Sequence, residues 1–493
     1  MIQHIKNVLS STAQFPKLTA FALGLYPFLH YYSSNVYMVG SWEQVLFLVF
    51  LCFILPQIII GLSTLLMRFR PLNALVKYNL SVLSLSLFTA LLGVLIFHFN
   101  KKEMLIALIV SGGLGFVLYK HLKKIIVLQC LLALLSLLTL IPKLHFAMTQ
   151  NNADWLQSSD AILNAKLKHK PNIFVIQPDG YVGKDVINKG FYNYDNSVFE
   201  SFLDKNNFIN YSNFRSNYYS TLTSNASLFG MKHHYYSNTN KRTLKTHNAT
   251  DVIVGEQNTV LKILQNNGYN SYLFTDNSYF LFDRIPLTYT YCNVPKASVS
   301  LYKNGVIKGI DIVSDFKQVL DTLPKKHNFF FIEKTIPGHV IYKQSASRGV
   351  EGERKRYLDK LEQANVWLED LITSINAYDE NALVILVADH GGFVGLEYTM
   401  EAVKRRLTNQ EAQSAFSTLL SIKYPKEMDP EQLSFKSTVN LFKTVFYGLT
   451  DNQAFLEDLE PDSSYLPLHE DGSTHYYECI DTNGNVSYQK LSN

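Results

Sequence analysis

The sequence predicts two parts, an N-terminal bundle of membrane-spanning helices and, after it, a soluble α/β layer sandwich on a largely parallel sheet. Three observations carry this prediction. Long apolar runs crowd into the first 145 residues, β-branched and aromatic runs alternate with helical patterns beyond them, and polar clusters stop several of those runs at their carboxyl ends.

The chain has 493 residues, too many for one ordinary domain, and its 47% hydrophobic content is unevenly spread. From Phe15 to about Leu144 charges occur only in short clusters, whereas from Gln150 onward polar, aromatic and charged residues mix as in a soluble protein. The expected organisation is therefore a transmembrane domain over 1–145, a linker over 146–170 and a soluble domain over 171–493. The formal charge is only +4, with no Lys/Arg-rich stripe interleaved with aromatics, so nucleic acid is not an expected partner. Four cysteines cannot build a disulfide scaffold, and Cys52 and Cys130 lie inside apolar runs. Cys292 and Cys479 remain as a candidate pair if the domain lies in an oxidising compartment.

Five apolar runs are read at about Leu18 to Tyr32, Val45 to Met67, Leu80 to Phe99, Met104 to Tyr119 and Ile125 to Ile141. A spanning helix needs roughly 20 apolar residues, which the second and third satisfy; Gly112, Gly113 and Gly115 interrupt the fourth. A soluble bundle built from such runs would lack a polar face. Orientation follows from loop charge. Lys6 and Lys17 precede the first run, Arg68, Arg70 and Lys77 separate the second from the third, and Lys120, Lys123 and Lys124 separate the fourth from the fifth. Because positive loops stay in the cytoplasm, the N-terminus is expected inside and the soluble domain outside, although Lys101 and Lys102 fall on the opposite side. The expected location is the cytoplasmic (inner) cell membrane, multi-pass, with the soluble domain extracytoplasmic.

In the soluble part, Asn172 to Gln177, Phe208 to Tyr211, Ser271 to Thr275, Phe329 to Glu333 and Ala382 to Val387 read as strands. Ser197 to Asn206, Thr259 to Gln265 and Gly352 to Ala377 read as helices, the last with Leu361, Ala364, Leu368, Leu371 and Ile375 on one face. Strands with no polar side, alternating with amphipathic helices, belong to a parallel sheet covered on both faces. Ligands of such sheets bind beyond the carboxyl ends of the strands.

The polar clusters fall there. The run Leu383 to Ala388 stops at Asp389-His390-Gly391-Gly392, a carboxylate and an imidazole that together suit zinc or manganese. The first strand ends at Asp179-Gly180, which is also a common turn dipeptide. Between them, Ser220-Thr221-Leu222-Thr223-Ser224 opens a short apolar helix, where free N–H groups and the helix dipole suit a phosphate or are satisfied by ordinary capping.

In order and spacing, Asp179 closing the first strand, the Thr221-x-x-Ser224 helix start and Asp389-His390-Gly391 closing a late strand resemble the alkaline-phosphatase and sulfatase superfamily over about residues 170 to 450. Its membrane-bound branch includes lipoteichoic acid synthases and lipid A phosphoethanolamine transferases, and shares the layout of five N-terminal spans before an external catalytic domain. The stretch from Asp179-Gly180-Tyr181 through Tyr194-Asp195-Asn196-Ser197 to Ala226-Ser227 looks most like its sulfatase-like membrane proteins. The resemblance implies an alkaline-phosphatase-like sandwich and an enzyme with one divalent cation, zinc or manganese, held by Asp179, Asp389, His390 and the oxygen of Thr221. Thr221 is the implied nucleophile, with Thr223 the second choice, and Ser224 orients the loop. His339 matches the histidine that contacts the phosphate and can protonate the leaving oxygen, although the family more often places its histidine directly after proline, where this chain has Pro337-Gly338-His339. His233 and His234 are candidates for lining the site, and His469 and His475 for an extra ligand. The Cys/Ser-x-Pro-x-Arg motif of sulfatases proper is absent; Thr221-Leu222-Thr223-Ser224-Asn225 stands there, which argues against sulfate-ester hydrolysis.

The function expected on these grounds is metal-dependent transfer of a phospho-group, of phosphoethanolamine or phosphoglycerol type, to a glycan or lipid acceptor at the outer membrane surface through a phospho-threonine. A membrane lipid or a lipid-linked glycan is the expected substrate partner. The alternatives are a sulfatase-like or phosphodiesterase hydrolase and a catalytically silent membrane assembly protein.

Overall fold

A computed structural model describes residues 15–69, 74–149, 154–234, 246–324 and 327–491. Lys6 and Arg70, used above for orientation, and part of the expected linker lie outside the described residues. The chain divides into two compact units, residues 1–150 with 301–303, and residues 151–300 with 304–493.

The first unit is helical. Its members are α1 (Pro16–Ser34), α2 (Trp42–Leu66, with a π turn at Phe50–Ile54), α3 (Val76–Leu95), α4 (Lys101–Val117) and α5 (Leu122–Thr149). Each apolar run of the sequence has become one helix. Caps set two of the starts: Ser41 with Gln44 and Asn100 with Glu103 form reciprocal capping boxes. Large apolar side chains such as Leu62, Ile109 and Leu135 point outward, an arrangement that a hydrocarbon solvent favours and water does not. Among the described residues three helices are long and apolar enough to cross a membrane, namely α2, α3 and the helix over Tyr119–Thr149, against the five expected. The cap at Asn100 places Lys101, Lys102 and Glu103 inside α4, which shortens its apolar part, and α1 carries His30, Tyr31, Ser33 and Ser34 near its end.

Among the described residues the second unit holds ten strands. They are β1 (Ile173–Pro178), β2 (Phe208–Asn210), β3 (Asn270–Thr275), β4 (Tyr291–Cys292), β5 (Asn328–Lys334), β6 (Leu383–Val387), β7 (Leu420–Lys423), β8 (Ser464–Glu470), β9 (Ser473–Ile480) and β10 (Val486–Lys490). The first seven form one sheet in the order β2-β7-β6-β1-β5-β3-β4. β1 lies at its centre, parallel to both β5 and β6, while β7 runs antiparallel to β6 and β2. The sheet is thus mostly parallel with an antiparallel edge. β8, β9 and β10 make a separate antiparallel meander that the sequence reading did not include.

Side chains alternate across β1 into two apolar layers. Phe174 and Ile176 join the layer of α6 (Ser197–Lys205), while Ile173 and Val175 join that of α7 (Thr221–Gly230) and α8 (Thr259–Gln265). α9 (Ile312–Leu320) and α10 (Gly349–Tyr378) complete the first layer, and α11 (Leu441–Thr450) completes the second. The face of α10 read from sequence is the one it buries, from Leu361 through Ile375. Truncating Leu368, which is fully buried, to alanine is expected to cost about 2–5 kcal/mol, whereas Val366→Ala on the exposed side of α10 is expected to stay within about 0.5 kcal/mol. Denaturant unfolding of the two variants checks the difference.

Cys292 lies in β4 of the large sheet and Cys479 in β9 of the meander; both are free thiols, and Cys479 Sγ points at Ser464 O, 3.2 Å away. The candidate disulfide is therefore not formed.

Candidate active site

The carboxyl ends of β1 and β6 are neighbours in the sheet, so Asp179 and the Asp389-His390 pair meet although about 210 residues separate them in sequence. The backbone beyond each strand is shaped for close approach. Gly180 has φ +71°, and a Cβ there would stand 2.4 Å from Gly338 O; a Cβ on Gly391 would stand 2.1 Å from Ser414 O. Asp179 N–H donates to Lys334 O at 3.0 Å and Gly338 N–H to Asp179 O at 2.8 Å, which ties the loop after β5 to the end of β1. Val340 N–H donates to Gly392 O at 3.1 Å and ties the same loop to β6. His339 is held between them, with Arg356 Nη2 donating to its carbonyl at 2.8 Å.

One oxygen of each carboxylate faces the gap. Gly180 N–H donates to Asp389 Oδ1 at 3.0 Å, leaving Oδ2 turned inward. Asp389 Oδ2 and Asp179 Oδ1 are buried without a hydrogen-bond partner. His390 Nε2 lies 3.3 Å from Asp389 Oδ2 and 3.8 Å from Asp179 Oδ1. Its other nitrogen, Nδ1, lies 2.9 Å from Gly391 O, and since a carbonyl oxygen can only accept, Nδ1 carries a hydrogen and the neutral ring offers its Nε2 lone pair inward. Thr221, the first residue of α7, brings its hydroxyl to 3.4 Å from that Nε2.

The electrostatics of the gap are those of a site built for a positive charge. Burial, and then the charge of Asp389, push the Asp179 carboxyl up to about 7. For His390 burial works against protonation, but Asp389 and Asp179 outweigh it and the ring is more basic than usual. Two buried carboxylate oxygens without hydrogen bonds, an imidazole nitrogen and a hydroxyl are the donor types that zinc or manganese takes. Asp179, Asp389 and His390 place one ligand atom each within 4.8 Å of one another. The residues present therefore fit a divalent cation.

His339 completes one wall, its ring centroid 5.7 Å from that of His390. Its Nδ1 lies 2.5 Å from Val340 O and 2.8 Å from Thr399 Oγ1, and the Thr399 hydroxyl itself donates to Val340 O. Nδ1 is accordingly the protonated nitrogen and Nε2 an acceptor. Burial, then the neighbouring His390, bring the His339 pKa down to about 4, so the ring is neutral at pH 7.

Ser224 donates to Asp389 O at 2.5 Å and pairs with Ser216 at 2.7 Å, which fastens α7 to the end of β6. The other candidates lie elsewhere. His233 uses both ring nitrogens, on the Tyr218 hydroxyl at 2.9 Å and Pro461 O at 2.7 Å, and His234 stacks on Tyr218 with centroids 4.2 Å apart. Thr223 bonds to Ser220 as a helix-start hydroxyl. His469 is exposed on β8, bonded to Thr474 at 2.9 Å, and His475 lies across from Leu468 in the meander. The sequence reading missed Thr399, which fixes the His339 ring, and Tyr357, whose hydroxyl donates to Gly180 O at 2.9 Å and accepts from Val182 N–H at 3.1 Å. Neither carries a local signal, because each acts on a partner at least 60 residues away.

The family model described as Sulfatase matches residues 171–420, which contain every residue of this gap. The chain belongs to the sulfatase family. No curated protein matches it. Solved structures similar to this sulfatase-family chain include the C-terminal periplasmic domain of EcEptC from Escherichia coli in complex with Zn, at 11% identity and TM-score 0.42, covering 64% of this chain and 93% of that one. The integral membrane protein lipooligosaccharide phosphoethanolamine transferase A (EptA) from Neisseria meningitidis aligns at 14% identity and TM-score 0.40, covering 88% of this chain and 95% of that one.

Proposed function

We propose that this sulfatase-family enzyme is a metal-dependent transferase that moves a phospho-group, of phosphoethanolamine or phosphoglycerol type, from a membrane lipid to a glycan or lipid acceptor on the outer face of the membrane. The observation that carries the reading is the meeting of the Thr221 hydroxyl with two bondless carboxylate oxygens and an inward imidazole nitrogen. Asp179, Asp389, His390 and Thr221 would hold the cation, which when bound makes the threonine hydroxyl more acidic and offsets phosphoryl charge. Membrane-spanning helices in the same chain favour a lipid donor.

In this cycle Thr221 is the nucleophile. Its oxygen bonds to phosphorus as the lipid alkoxide leaves, and the free N–H groups at the start of α7 bind the phosphoryl oxygens. Thr221 gives up its hydroxyl proton as it attacks; His339, neutral at the start, takes that proton up at Nε2 and hands it to the departing alkoxide. In the second half His339 accepts the proton of the acceptor hydroxyl while that oxygen displaces Thr221 from phosphorus, and returns it to the released Thr221 oxygen.

The test incubates the full chain, in detergent with zinc, with vesicles of phosphatidylethanolamine or phosphatidylglycerol, and weighs the peptide containing Thr221. Mass gain on Thr221 that persists until a glycan acceptor is added is the expected result. Gain followed by prompt release in water alone indicates a hydrolase, and gain on Thr223 or nowhere overturns the assignment.

A further inference from the structure

Two buried primary amides join the strand that carries Asp179 to the helix that carries Thr221. Gln177 lies near the end of β1, two residues before Asp179; Asn225 lies one turn along α7 from Thr221, and neither is measurably open to solvent beyond 1%. They face each other reciprocally. Gln177 Nε2 donates to Asn225 Oδ1 at 2.9 Å and Asn225 Nδ2 donates to Gln177 Oε1 at 2.8 Å. The second hydrogen of Asn225 Nδ2 goes to the backbone carbonyl of Thr221 at 3.0 Å.

Only amides satisfy this arrangement, since each side chain must both give and accept, and a carboxylate at either position would set oxygen against oxygen. Stability alone does not require it: an apolar pair of similar shape fills such a space at little cost, because a buried hydrogen bond contributes only about 1 kcal/mol net. What an apolar pair cannot do is fix position. Ser224 fastens α7 to β6, but toward β1 the helix otherwise packs through Leu222, Ala226 and Phe229, whose apolar contacts are non-directional and tolerate small slides and rotations. Two directed bonds to β1, with a third to the peptide of Thr221 itself, do not tolerate them.

We propose that the Gln177–Asn225 pair is a positioning device that sets the Thr221 oxygen against the Asp179, Asp389 and His390 ligands, and so governs cation affinity without touching substrate. This rests on the reading of Thr221 as a ligand and nucleophile given above.

The experiment is a double-mutant cycle read as the zinc dissociation constant of the full chain, with the thermal midpoint of the zinc-free protein measured alongside. Gln177→Asn shortens one partner by a methylene and Asn225→Gln lengthens the other. Each single change is expected to weaken zinc about tenfold or more and, because a buried amide loses its partner, to lower the zinc-free midpoint somewhat; the double variant, which restores the summed length, is expected to return to within about threefold of the parent in zinc binding and close to it in midpoint. The apolar pair Gln177→Met with Asn225→Leu is expected to stay weak. Singles that bind zinc like the parent overturn the proposal, as does a double variant that recovers nothing. Asp389→Ala separates the two levels. If the parent binds zinc no better than this variant, the cation reading falls and the positioning role with it; if the parent binds and the singles bind equally, the positioning role alone falls.

Discussion

Replacing Thr221 with alanine is expected to lower turnover about a thousandfold or more while the folded protein melts at nearly the same temperature. The hydroxyl is the nucleophile of the proposed cycle, and removal of a nucleophile takes away the covalent route altogether, leaving only binding and electrostatic assistance. Its folding contribution is small, because among the described residues the one hydrogen bond of its hydroxyl is the 3.4 Å approach to His390 Nε2, and the backbone at the start of α7 does not depend on it. Thr221→Ser keeps the oxygen and should retain a measurable fraction of the rate. Steady-state assays on phospholipid, with parallel melting curves, check all three forms. A Thr221→Ala protein with the parent's rate removes the enzyme reading proposed for this site.

A second large effect concerns the metal-free protein and pH. The Asp179 carboxyl is pushed up to about 7 from 3.8 by burial and then by Asp389. A carboxyl whose folded pKa lies above its unfolded value favours folding while it is protonated. That advantage is complete below about pH 4 and disappears as pH rises through about 7. The zinc-free protein should therefore lose a few kcal/mol of stability between pH 5 and pH 8. In Asp179→Asn this decline should largely vanish, and the variant should exceed the parent in zinc-free stability at pH 8. Zinc should reverse the order, raising the parent and leaving the variant nearly unmoved. Calorimetry at the two pH values, with zinc and with chelator, gives the four comparisons. A zinc-free parent as stable at pH 8 as at pH 5 contradicts the account.

How much of this was legible in the sequence depended on how far each signal travels along the chain. The strands that became β1, β5 and β6 were readable because a strand covered on both faces needs apolar residues at every position, and Ile173 to Ile176 or Leu383 to Val387 have no other use. The edges were not. β4 has two residues, and β7 was not read at all, so its reversed direction could not be anticipated. The meander of β8 to β10 mixes polar and aromatic residues, as in Ser473–Ile480, and leaves no apolar run to notice. At the site, Asp179, Asp389 and His390 announced themselves by ending strands that were themselves visible. His233 and His234 followed the helix of Thr221 closely enough to suggest a role, yet what occupies His233 is the carbonyl of Pro461, 228 residues on, which no local pattern could show.

The separation of residues 179, 221 and 389–390 along the chain also bears on maturation. An unfolded polypeptide brings together only the adjacent Asp389 and His390; Asp179 and Thr221 join them only after β6 has docked beside β1 and α7 has been seated above them. On the proposed function, cation uptake would report completed assembly and reward the native state alone. With the cation at a hundred times its dissociation constant that reward would be about 2.7 kcal/mol, enough to retain the correctly paired sheet against registers in which the donors never converge.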